Sequence, residues 1–208
     1  MATTTPNYGW DVPTSTDYVK DGATAIETLG DDIDASLYSI TSGKNVGMVH
    51  INTTTVSGAA SLTVSNVFTS AFDNYVLKWV GTGSHTSATT MLFNMSLAGV
   101  AAASTWARMY LSTSDSTGPT RTYAGSQSSA AIGLGGDTLT VFDATVYRPA
   151  IAAGTGLTFL GNSRSGVSAD TAQGGANHTT ATAYDGIILS ASTGNITGTL
   201  RVYGLRNS

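Results

Sequence analysis

The sequence predicts a mainly β protein, an antiparallel β-sandwich of the jelly-roll kind preceded by an extended arm and a short helix. Composition points there first. Hydrophobic residues make up 41% of the 208 residues but charged residues only 11%, against roughly 25% charged in an average soluble domain. Thr, Ser, Asn and 24 glycines supply the polarity instead, and the branched Cβ of Thr suits a pleated strand. The second observation is a change of texture near residue 45. After it come short alternating runs separated by turn residues, and before it a seven-residue recurrence of apolar side chains. The third is charge. Residues 1–44 hold seven acids and two bases, a net of −5, whereas residues 45–208 hold six acids and seven bases, a net of +1. Two regions follow: 1–45, an arm and helical anchor, and 46–208, a β-sandwich domain.

Residues 1–13 read as the extended arm, with Pro6 and Pro13 restricting the residues before them and Gly9 interrupting any regular pattern. Tyr8, Trp10 and Val12 place three large side chains in a segment too short for its own core. They either fold back on the β domain or anchor the protein to another surface.

Residues 14–41 read as a helix. Thr14, Ser15, Thr16 and Asp17 are N-cap candidates, and Asp17 and Asp21 complement the helix dipole. Val19, Ile26, Ile33 and Ile40 recur every seven residues, the spacing of one coiled-coil seam position. The other seam position holds Gly22, Leu29 and Ser36, so only Leu29 fills it well, and Leu37 lies beside Ser36. Gly22 and Gly30 each cost roughly 1 kcal/mol against Ala and are candidate breaks. A trimeric coiled coil with a seam of Val19, Ile26, Leu29, Ile33 and Ile40, and a helix packed on its own domain, both fit this pattern. Asp31, Asp32 and Asp34 mark a solvated face. Residues 42–45 read as a hinge.

The β region contains about ten strands at the turn spacing of sandwiches and barrels. Leu62 and Val64 share one face, as do Tyr75, Leu77 and Trp79. Met91, Phe93, Met95 and Leu97 alternate with Leu92, Asn94 and Ser96 in a half-buried strand. Leu139–Tyr147 is apolar at several positions of both faces and reads as central. Asp185-Gly186 is a turn signal before Ile187. In Ile196–Tyr203, Ile196, Leu200 and Val202 point one way. The stretches 81–89, 112–118, 161–178 and 191–195 read as polar loops, where binding residues usually sit.

Several chemistries are excluded or unsupported. The chain has no cysteine, which removes thiol catalysis, disulfides and Cys-type zinc sites. Its net charge of −4 argues against sequence-independent nucleic-acid binding, which needs clustered Lys and Arg. No apolar run is long enough for a membrane helix, and no signal peptide is visible. His50, His85 and His178 are scattered without metal-ligand spacing; His85 and His178 both fall in stretches read as polar loops. Gly133–Gly136 lacks the Lys-Ser/Thr and helix of a phosphate loop and reads as a tight turn. The sequons at Asn52, Asn94, Asn177 and Asn195 are expected by chance in so Thr- and Ser-rich a chain. Beyond residue 45 the acids are six aspartates without a glutamate, a poor supply for the facing carboxyl pair of glycoside hydrolysis. An enzyme is not expected, and no catalytic residue, cofactor-binding residue, metal ligand or cofactor is assigned. Trp106, Tyr110 and Tyr123 are aromatics near polar stretches, read chiefly as packing residues.

Three segments carry a resemblance. TTTPNYGWDVPTSTDYVKDGATAIETLGDDIDAS (3–36) resembles the N-terminal segment of tail-fibre and minor-tail proteins of tailed bacteriophages. There a Pro-x-aromatic-Gly-Trp arm leads into a short helix; Asp17, Val19, Asp21, Gly22, Ala23, Ala25, Ile26, Leu29, Gly30, Asp31, Ile33 and Asp34 carry the matching pattern. GNITGTLRVYGL (194–205) is similar to the last strand of phage jelly rolls, and the run from Phe68 to Leu77 resembles an early strand of the same domains. Together they cover about a quarter of the chain. The resemblance implies a homotrimeric virion protein, assembled in the bacterial cytoplasm and attached to other virion proteins of tail or capsid through Tyr8, Trp10 and Val12. A tail fibre or tail-tip appendage with a β domain exposed to a host-surface glycan is the first expectation. A head decoration protein or head fibre is the second, and a free carbohydrate-binding module the third. Nucleic acid and membrane insertion are not expected.

Overall fold

Alternation of apolar side chains with Thr and Ser lets a strand bury one face and hydrate the other, and most of this chain does so. A computed structural model describes residues 3–14, 18–41, 47–83, 89–103, 105–114, 118–165 and 168–205, with the side chains of Thr3, Lys20, Ile40 and Thr41 outside that description. The chain divides into two units, Met1–Gly47 and Met48–Asn207.

In the first unit, β1 (Thr3–Thr4) and β2 (Asp11–Val12) precede α1 (Val19–Thr41). The arm is not simply extended. It turns back on itself: β1 and β2 pair antiparallel, Thr3 opposite Val12. Thr5 N donates to Trp10 O, Gly9 N donates to Thr5 O, and Trp10 N donates to the Thr5 hydroxyl at 3.0 Å. Gly9, at φ 68°, supplies the left-handed turn residue that lets so short a segment reverse. Helix α1 starts at Val19 rather than 14, with Asp21 N donating to Tyr18 O in its first turn. The cap candidates Ser15, Thr16 and Asp17 and the hinge 42–45 lie outside the described residues. Gly22 and Gly30 do not break the helix, which runs unbroken through 23 residues.

The second unit holds thirteen strands among the described residues: β3 (Met48–Ala59), β4 (Ser61–Val64), β5 (Asn74–Gly83), β6 (Thr89–Leu97), β7 (Val100–Ala101), β8 (Trp106–Ser114), β9 (Thr120–Gln127), β10 (Ala130–Gly135), β11 (Leu139–Tyr147), β12 (Thr155–Ser165), β13 (Ser168–His178), β14 (Gly186–Ala191) and β15 (Ile196–Leu205). They form two antiparallel sheets. The larger has the order β3-β15-β5-β11-β12-β13-β8-β9, and the smaller β10-β6-β14-β4 with β7 beside β6. One apolar core joins the inner faces: Leu62, Phe93, Met95, Ile132 and Ile187 from the smaller sheet meet Tyr75, Trp79, Phe142, Phe159 and Leu200 from the larger. Each such buried side chain contributes about 1.5–3 kcal/mol over leaving it in water. This is a β-sandwich, with sheets of eight and five strands rather than the eight strands in all of a simple jelly roll.

The central strand falls where its apolar pattern placed it: β11 lies between β5 and β12. The faces of β4, β5 and β15 also follow the alternation, with Leu62, Val64, Tyr75, Leu77, Trp79, Ile196, Leu200 and Val202 buried. Strand β6 departs from it. Asn94 and Ser96 are buried as well, whereas Leu97 is 48% exposed; β6 is an inner strand, and the Asn94 amide finds its partners within the fold. The largest departure is 161–178, expected as a loop. It is most of the β12–β13 hairpin, paired from Thr155–His178 to Ser165–Ser168. Gly133–Gly135, expected in a turn, belongs to β10, and Gly133 sits at a bulge with φ 149°.

Candidate functional site

On the outer face of the larger sheet, side chains from five neighbouring strands line up in cross-strand rungs. Register places Tyr147, Gly156, Asn177 and Ala107 along one rung of β11, β12, β13 and β8. Two residues further on, Thr145, Thr158, Gly175, Met109 and Tyr123 form the next, which reaches β9. Directly opposed residues of antiparallel strands point to the same side, so both rungs face outward. Between them Leu157, Ala176 and Arg108 form a rung whose side chains point to the core face.

Gly156 and Gly175 leave gaps in this surface. The result is a shallow trough of about 480 Å³, floored by the two glycines and Ala107 and bordered by Tyr147, Met109 and Tyr123. Tyr123 is 75% exposed, Met109 56% and Tyr147 40%. Its polar groups include the Tyr147 hydroxyl, 3.3 Å from the Thr158 hydroxyl, the exposed Asn177 amide and Arg108, the one charged residue of the lining. A Cβ on Gly156 would meet only ordinary contacts, Tyr147 Cδ2 at 3.5 Å and Asn177 Oδ1 at 3.8 Å, so the depression is empty space rather than a packing requirement. The spacing of Tyr147 from Met109 is three strand separations, about 14 Å. Chemically this is a hydroxyl- and amide-rimmed platform with aromatic edges and no acidic group. No proton donor–acceptor pair is arranged for catalysis there.

Sequence reasoning named Tyr123 but not the trough. Gly156 and Gly175 look like loop residues in a sequence, and only strand register shows that they sit diagonally across one another on one face.

The anchor candidates come together within the first unit. The Tyr8 and Trp10 rings stack, centroids 5.2 Å apart at 19°. They border a depression with Asp32, Ala35, Ser36 and Ser39 of α1. Tyr8 stays 70% exposed, while Trp10 and Val12 are half-buried. Of the seam candidates, Val19 is 97% and Ile26 64% exposed, Leu29 and Ile33 are half-buried, and the Ile40 side chain lies outside the description.

The scattered histidines do not form a site. His178 is not in a polar loop but buried at the end of β13. Its Nε2 lies 2.9 Å from the Thr105 hydroxyl and 3.3 Å from Ala103 O, and its ring meets those of Trp106 and Tyr184 edge-on. His50 is exposed, bonded to the Thr53 hydroxyl at 2.8 Å. His85 lies outside the described residues. Among the described residues no three His, Asp or Glu side chains cluster as metal ligands. Trp106 is fully buried, as a packing residue would be. No helix of the described residues is long and apolar enough to cross a membrane. No protein-family model matches the chain, and no curated protein matches it.

Proposed function

We propose that this chain is a structural protein of a bacteriophage virion: a homotrimeric tail fibre or tail-tip appendage, attached through residues 1–45, with a β unit of jelly-roll ancestry exposed for host-surface binding. The observation that supports this reading is the exposed first half of the α1 seam. Val19 and Ile26 stand in water seven residues apart in a unit of its own, while the Tyr8–Trp10 hairpin packs further along the helix, beside Asp32, Ala35, Ser36 and Ser39. A helix keeps such residues exposed at a cost unless copies of itself cover them, and identical chains favour closed symmetry. The resemblance of residues 3–36 to phage anchors supplies the particle.

Light scattering on the purified chain tests the trimer. The expected mass is three times the chain's 21.2 kDa; a monomer at micromolar concentration would remove the coiled-coil argument. Immunogold labelling of intact particles then locates the protein. Gold on the tail supports the appendage, and gold on the head assigns it instead to head decoration.

A further inference from the structure

We infer that the trough between Tyr147 and Tyr123 is a binding site for a pyranose sugar. Its shape and chemistry both point that way. A pyranose has an apolar C–H face and a rim of hydroxyls. The trough offers aromatic and thioether edges for the first, in Tyr123, Tyr147 and Met109, and uncharged hydrogen-bonding groups for the second, in Asn177, Thr158 and the Tyr147 hydroxyl. Buried C–H surface gains from leaving water, and a π face adds a directional term. The volume, about 480 Å³, is within the range of small-ligand sites.

Charge narrows the ligand in one direction. No acidic residue lines the trough, and Arg108 is the one charged residue of its lining. A cationic peptide would find no carboxylate there. Glycine at 156 is the informative position. Its added Cβ would meet nothing closer than 3.5 Å, and a β-branched residue suits a strand better than glycine does. The backbone is therefore open to a side chain that would strengthen the strand, and the space left unfilled is what a ring could occupy.

The proposal deepens the host-surface reading but is measured on the β unit's own surface, so it stands or falls separately from the trimer mass. Saturation-transfer NMR of the full chain with the methyl glycosides of glucose, galactose and N-acetylglucosamine, at millimolar concentration, is the test. At least one glycoside receives saturation at its ring C–H protons. Gly156→Val, which fills the floor, and Tyr123→Ala, on the exposed edge strand, each weaken that binding by about tenfold or more, equivalent to about 1.4 kcal/mol. Both keep the parent's thermal transition. Absence of transfer from all three glycosides overturns the proposal, as does undiminished binding in Tyr123→Ala, whose side chain is 75% exposed and outside the core.

Discussion

Asn94 sits inside the sandwich with every polar atom of its amide engaged. Its Oδ1 accepts from Trp106 Nε1 and from Met95 N, each at 2.9 Å. Its Nδ2 donates to Ser128 O at 2.9 Å and to Ala102 O at 3.2 Å. One side chain thus ties β6 to the approach to β8 and to the turn before β10. Asn94→Leu keeps the branched shape, at somewhat greater volume, but leaves the indole N–H and two carbonyls unpaired in the interior. The expected loss is on the order of 3 kcal/mol, since each buried orphan costs about 1–3 kcal/mol; urea unfolding with an unchanged slope would measure it. Gly204 poses the opposite requirement. A Cβ there would collide with the ring carbons of Phe72, which shields the glycine as aromatic side chains shield glycines in other sheets. Gly204→Ala is expected to cost about 1–3 kcal/mol by overpacking, and Phe72→Ala in the same chain should recover part of that in a double-mutant cycle.

Elements show where pattern and context diverge. Helix α1 runs through two glycines that no packing demands, since a Cβ at either would meet open space, and it is long enough to absorb the propensity cost. Its exposed face carries the self-association argument. Ile26→Asp with Ile33→Asp places charge in that face and should lower the solution mass to that of one chain, while the sandwich keeps its thermal transition; an unchanged trimer mass would assign assembly to another surface. The β12–β13 hairpin is the reverse case. The inward positions of β13 are Ala172, Gly174 and Ala176 rather than large residues, so no alternation of large apolar side chains marks that strand, although Leu157 and Phe159 of β12 are buried. Small residues are needed where the sheets close on each other: a Cβ on Gly161 would lie 3.3 Å from Gly133 Cα in the opposite sheet. The strand signal is weak because the tertiary packing there is tight.

At the scale of the molecule, two segments that resemble phage sequences, 68–77 and 194–205, are neighbours in space although more than a hundred residues apart. Tyr75, Leu77 and Trp79 of β5 pair with Gly204, Val202 and Leu200 of β15. The Tyr75 hydroxyl accepts from Thr69 N at 2.6 Å and donates to Thr69 O at 2.7 Å, locking the entry to β5. With its own core, the unit from residue 48 onward should fold without the rest. Removing residues 1–47 is expected to leave a cooperative thermal transition, a monomer mass and no attachment to particles. Full particle occupancy by the truncated chain would refute the anchor assignment.

The sequence by itself determined the class of fold, the helix and the strands with large alternating side chains: β4, β5, β11 and β15. Those features are local, because burial of one face every second residue, or the helical recurrence of apolar side chains, is written directly into side-chain type. The helix boundary was also close to legible, displaced only where capping residues and helix formers overlap. Tertiary structure decided the rest. It turned Gly-rich, polar 161–178 into central hairpin strands, drew His178 from an expected loop into the core, and buried both faces of β6. It also made a trough of Gly156 and Gly175, since register between strands distant in sequence, not the residues of either strand, sets which gaps meet on one face.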